Sequence, residues 1–141
     1  MEVLGMAEKD KLFTVKHTSV GTGTDPTILR DWVSRGFVEP ADKSPGKGLP
    51  NQFNRQNLYQ IRVFSNLVEA GVPREAASKV SKEFQLFNPS TPYLCVLKRE
   101  GNTEIKWMSK KAAKATDFER IIIIDVASII NEVDLNVINL M

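Results

Sequence analysis

The residues able to do chemistry are few. The chain holds one histidine, His17, and one cysteine, Cys95. A structural zinc site takes several thiolates or imidazoles, so a His/Cys zinc site is excluded. No Ser/His/acid set can assemble when His17 is the sole imidazole. Gly21-Thr22-Gly23 lacks the preceding strand and the third glycine of a phosphate-cradling loop. Asp117, Glu119 and Asp125 form an acidic cluster that helix capping and solvation explain. No catalytic residue, metal or cofactor is therefore expected, and the chain is not expected to be an enzyme. Cys95 lies in an apolar run and reads as a small buried hydrophobe. A lone cysteine makes no intrachain disulfide and points to a reducing compartment, the cytoplasm.

What remains is the placement of cations. The net charge is only +2 over 141 residues, too little by itself to imply a nucleic-acid partner. Its distribution is uneven. Residues 11–66 carry eight Lys/Arg against four Asp/Glu, whereas residues 117–141 carry one Arg against five acids. A basic front and an acidic tail suit one anionic partner and a separate surface for self-association or sensing.

The elements that would position those cations follow from capping and periodicity. Val15 to Val20 fits a short first helix, and Gly21-Thr22-Gly23 a turn after it. Thr24-Asp25-Pro26 is a helix start: Thr24 or Asp25 can cap, and Pro26 suits the first turn, where no N–H is needed. That helix runs to Gly36, with Ile28, Leu29 and Trp32 predicted on the core side and Thr27, Arg30, Asp31 and Ser34 facing outward. Glu39 to Asn51 is a Pro/Gly-rich loop, longer than a plain turn needs. Asn54 caps a third helix in which Leu58, Ile61, Phe64, Leu67 and Val68 recur at helical spacing. Gly71 ends it. Pro73 opens a fourth, with Ala76, Ala77, Val80 and Phe84 on its inner face. Phe13, Phe37 and Phe53 are further core candidates.

After Asn88-Pro89-Ser90-Thr91-Pro92 the period changes. Tyr93 to Lys98 and Thr103 to Met108 flank Glu100-Gly101-Asn102, which predicts a hairpin. Lys110 to Ala115 predicts a short helix and Arg120 to Ile124 a buried strand. Asp125 caps a last helix bearing Val126, Ile129, Ile130, Val133 and Val137. The expected fold is α+β: a leader at 1–11, a winged helix-turn-helix at 12–87, a hinge at 88–92, and a small α/β unit of hairpin, strand and helix at 93–141.

Two stretches carry a family resemblance. Thr27-Ile28-Leu29-Arg30-Asp31-Trp32-Val33-Ser34-Arg35-Gly36-Phe37-Val38-Glu39-Pro40 is similar to a T-[LI]-R-x-[YW]-x-x-x-G-L-[LIV]-x-P pattern. Phe53-Asn54-Arg55-Gln56-Asn57-Leu58-Tyr59-Gln60-Ile61-Arg62-Val63-Phe64, then Leu67 and Gly71-Val72-Pro73-Arg74-Glu75-Ala76-Ala77, is similar to Y-x-x-x-D-[LV]-x-x-[LI]-x-x-[IF] followed by L-x-x-x-G-[FVM]-[SP]-[LI]-x-[EQ]-[IA]. Together they resemble the MerR-type winged helix-turn-helix DNA-binding domain over about residues 12–84. The chain departs from the pattern at Gly21-Thr22-Gly23, at Gln52 in place of a frequent Arg, at Asn57 in place of a frequent acid, and in its long loop.

The resemblance implies double-stranded DNA as partner, with RNA polymerase as a further one. It makes Thr27, Arg30 and Asp31 candidates for base or nearby phosphate contacts, with Arg35 at the end of the same helix. A bidentate Arg–guanine contact is worth about 1–3 kcal/mol of discrimination; the alternative for Arg30 is an ion pair with Asp31 or Glu39. Lys43, Ser44 and Lys47 on the loop would meet phosphates or simply be exposed. Lys16, His17, Arg55, Tyr59 and Arg62 complete the candidate DNA-binding set. Relatives dimerise through a long helix after the winged unit, and none is predicted here. Homodimerisation would then use Ile121 to Ile124 and the last helix, or else both form the core of a unit packed on the winged domain. The function expected is sequence-specific transcriptional regulation; an excisionase-like architectural protein and a protein-interaction module are the alternatives. No run of the sequence is long and apolar enough to predict a membrane span.

Overall fold

The structure, a computed structural model, describes residues 11–43, 50–84, 87–115, 120–138 and 140. The predicted leader, apart from Lys11, lies outside the described residues, as do Ser44 and Lys47.

The first helix, α1 (Val15–Thr22), is capped by the Thr14 hydroxyl, which accepts from His17 N. It runs through Gly21 and Thr22 and ends at Gly23, whose φ of 71° forms the left-handed cap. The predicted turn at 21–23 is therefore mostly helix. The reason is tertiary: a Cβ at Gly21 would come within 3.1 Å of Leu58 Cδ2 and of Val137 Cγ2. Glycine is kept there for close approach, against its poor helix propensity. Helix α2 (Pro26–Ser34) is capped by Asp25, whose carboxylate accepts from Thr27 N and Ile28 N.

Helix α3 (Arg55–Glu69) starts from a reciprocal capping box between Asn54 and Asn57, and α4 (Arg74–Lys82) follows Gly71 and Pro73. Ala77 faces the core but Ala76 is exposed, a correction to the predicted inner face.

Strands β1 (Tyr93–Arg99) and β2 (Asn102–Met108) pair as an antiparallel hairpin whose last partners are Arg99 and Asn102. Glu100 and Gly101 both have positive φ, 39° and 82°, the geometry that matches a tight turn to strand twist. After the short helix α5 (Lys110–Ala115), β3 (Arg120–Asp125) joins the other side of β1, giving a three-stranded sheet of order β2-β1-β3. The predicted strand is there, but it is an edge strand. Only Ile124 is buried and Ile123 is 46% exposed. Central β1 takes the doubly covered position instead: Leu94 and Val96 face the helices, Cys95 and Leu97 the α5 side.

The last helix, α6 (Val126–Ile138), begins where the Asp125 carboxylate accepts from Ser128 N. It packs on α1 and α3. The segment 88–92 is a turn bridged between Asn88 and Thr91, and apolar contact continues across it. Leu94, Val96, Ile124, Val126, Ile129, Val133 and Val137 share one cluster with Leu29, Leu58 and Phe64. Among the described residues no helix is long and apolar enough to cross a membrane.

Cys95 is fully buried, and burial pushes its thiol above the usual range. The native protein should react with a thiol reagent at neutral pH at least ~100-fold more slowly than the unfolded chain. Fast labelling of native protein would mean that the α5 face of the sheet is open.

Candidate nucleic-acid interface

Helix α2 is amphipathic, and its inner face fixes what the outer face presents. Leu29, Trp32 and Val33 are buried. The Trp32 ring meets Phe64 edge-on at 4.8 Å between centroids, and Phe37 stacks on Phe64 at 5.8 Å. Such aromatic pairs add about 0.5–1.5 kcal/mol beyond burial. Gly36, with φ of 80°, turns the chain out of the helix. Its carbonyl accepts from Lys82 Nζ, and that of Phe37 from Ser78 Oγ, both at 2.8 Å. Helix α4 thus holds the end of α2 in place.

Thr27, Arg30, Asp31 and Arg35 are all exposed on this helix, as predicted. Asp31 and Arg35 pair with each other at 3.1 Å. Arg30 makes no ion pair or side-chain hydrogen bond with another described residue. The alternative of a pair with Asp31 is not realised. Ile28, predicted to face the core, is 48% exposed. Buried Leu29, Trp32 and Val33 set the inner face, and position 28 falls on its flank.

The loop after α2 is anchored by one side chain. Asn57 is 7% exposed. Its Oδ1 accepts from Ala41 N at 2.8 Å and from Asn54 N at 3.0 Å, while its Nδ2 donates to the Glu39 carbonyl and to Gln60 Oε1. The loop limbs then pair through mutual backbone bonds of Asp42 and Gln52. Phe13 and Phe53 form a second bridge beneath. Lys43 is exposed just after the Asp42–Gln52 bridge. It lines an open cleft of about 440 Å³ with Glu39, Gln60 and Lys82.

The α3 candidates are held differently. Arg55 Nη1, at 2.9 Å, and the Tyr59 hydroxyl, at 2.5 Å, both donate to one oxygen of Asp134 on α6. Arg62 approaches Glu132 at 3.7 Å. Burial, then the bond to Asp134, pushes the Tyr59 phenol far above its usual range. Burial, the largest single effect, would lower Arg55, but the bond to Asp134 and the interactions with Tyr59 and the Asp134 charge together outweigh it and hold the guanidinium above its ordinary value. The stability that Tyr59 contributes is complete below pH of about 10 and fades as pH rises through the raised value. Lys16 is exposed on α1, and His17 is half-buried.

Residues 13–83 match a family described as MerR HTH family regulatory protein. The chain belongs to the MerR family. No curated protein matches it. The MerR match runs from the Phe13 bridge through α4 and takes in the loop and Asn57. The family is one of DNA-binding transcription regulators. Sheet and α6 lie beyond the match, and it is α6 that engages Arg55, Tyr59 and Arg62.

Two residues of the MerR-type unit escaped sequence reasoning. Asn57 was visible only as a departure from an acid. The clue was an amide three positions after a capping asparagine, where it can both accept and donate. Lys82 left no local signal, because its contact with Gly36 spans 46 positions.

Asn57→Ala should cost about 2–3 kcal/mol in denaturant unfolding, from several buried bonds lost together. Asn57→Asp keeps the two accepted bonds and should fall between wild type and alanine. Asp134→Ala removes the shared acceptor of Arg55 and Tyr59 and should cost about 1–2 kcal/mol, discounted because the pair is partly exposed.

Proposed function

We propose that this protein is a sequence-specific transcriptional regulator that lays α2 in the major groove and sets the loop 39–53 as a wing against the phosphates. The observation carrying the reading is Arg30: exposed, unpaired among the described residues, and presented by a capped helix whose back is packed on Phe64. A helix of this width fits the groove, and a bidentate Arg reads guanine there. Thr27 and the Asp31–Arg35 pair stand on the same exposed side. Lys43, with Lys47, neutralises backbone charge without choosing sequence. Lys16 and His17 serve the backbone from α1. Arg55 and Tyr59 serve the junction with α6.

The exposed apolar side chains Leu135 and Ile138 on α6, and Ile123 on the edge strand, support the further reading that the C-terminal half pairs two copies. Sedimentation of wild type and Leu135→Asp checks it; a monomer in both would remove that part alone.

Binding to random duplex should fall steeply with salt. In sites selected from a random pool, Arg30→Ala should lose about 1–3 kcal/mol of discrimination at one base pair. Lys43→Ala should weaken all sites alike and lower the salt slope by about 1. Equal effects of both substitutions on preference would overturn this division of labour. Absence of binding at low salt would overturn the function.

A further inference from the structure

Helix α2 shows one large apolar side chain to the outside, Ile28. It occupies the third position of the helix, in the N-terminal turn that helix-turn-helix proteins bring closest to base edges. Counting at 3.6 residues per turn, it stands about 160° around the helix from Arg30. Arg30 and Ile28 therefore face opposite walls of any groove that α2 enters. A β-branched side chain on a helix has essentially one rotamer, so Ile28 is presented in a set direction at little entropic cost.

Its surroundings specify what it meets. Ile28 and Trp32 line an open cleft of about 250 Å³ that also holds Val68, Arg62, Asp25 and Glu69. The Arg62 guanidinium lies at the α1–α2 turn, within 4.0 Å of where a Cβ on Gly23 would be. Its contact with Glu132 is long, 3.7 Å, and its Nε is buried without a hydrogen-bond partner among the described residues. Asp25 is committed to the α2 N-terminus. Glu69 lies seven residues further along α3 than Arg62, about 10 Å away along the axis. The flank thus offers an apolar contact with a cation behind it. A thymine has the matching pair on the major-groove wall: a 5-methyl group, and the phosphate of its own strand beyond it.

We propose that Ile28 reads a thymine methyl in the major groove, with Arg62 placed toward the phosphate of the same strand. This rests on the reading of α2 as the groove helix, and it adds an apolar specificity contact to the polar one made by Arg30.

The test uses the full chain and a duplex selected from a random pool. Each thymine is replaced in turn by deoxyuridine, which keeps the base pair and removes only the methyl. Wild type should lose about fourfold in affinity at one thymine per bound α2, the worth of one buried methyl. Ile28→Ala should bind the thymine and uracil duplexes equally, and Ile28→Val should retain part of the discrimination. Because Ile28 is half-exposed, both variants should fold, as circular dichroism would verify. A wild type indifferent to every uracil, or an unchanged uracil penalty in Ile28→Ala, overturns the proposal while leaving the groove reading standing. Failure of wild type to retain any duplex at low salt overturns both.

Discussion

The edge-to-face contact of Trp32 with Phe64 is the constraint on which the rest of the molecule turns. It fixes the roll of α2 about its axis. Leu29 and Val33 are buried alongside it, so the helix cannot rotate without exposing one of these side chains, at about 1.5–3 kcal/mol for a fully buried side chain. Once the roll is set, Thr27, Arg30 and the Asp31–Arg35 pair have no choice but to face outward. The ring of Phe37 on the other side of Phe64 and the bonds from Ser78 and Lys82 then set where the chain leaves the helix. A rigid frame of this kind lets a short helix present side chains without paying for their ordering on contact.

The second organising feature is the way α6 closes the molecule. Its apolar face completes the core through Val126, Ile129, Val133 and Val137, and its acids engage the polar edge of α3. One carboxylate oxygen of Asp134 serves both a guanidinium and a phenol. The acidic tail evident in the composition thus has an address inside the protein. Part of the basic front is answered there, which fits a net charge of only +2.

How much of this was legible in the sequence depended on the range of the signal. Asp25-Pro26, Gly36, Asn54 and Gly71 mark helix ends by chemistry that acts within a turn, and those boundaries read correctly. The hairpin read well for the same reason, since Glu100-Gly101 is a local turn. The α+β class and the MerR-type unit followed from these pieces. What misled was always decided at long range. Gly21 looked like a turn residue because the approach of Leu58 and Val137 is invisible locally. Arg55 and Tyr59 read as DNA-binding candidates, and their shared bond to Asp134 was not foreseen because that partner lies 79 and 75 positions away. Ile28 looked like core because an apolar residue next to Leu29 and one turn before Trp32 carries no mark of whether it lies within the inner face or on its flank. Arg120 to Ile124 looked fully buried because an apolar run does not say whether its strand is central or marginal.

The contact between the first helix and the last has a consequence for biogenesis. Asn136 donates to the carbonyl of Gly21, a pairing across 115 positions, and Val137 packs on the same glycine. The groove between α1 and α3 is thus filled by a segment that is synthesised 115 positions after Gly21. While residues 126–138 are still inside the ribosomal tunnel, the nascent chain must carry that groove uncovered, and contacts of such long sequence separation form late and slowly. That groove closes only when α6 folds back upon α1 and α3.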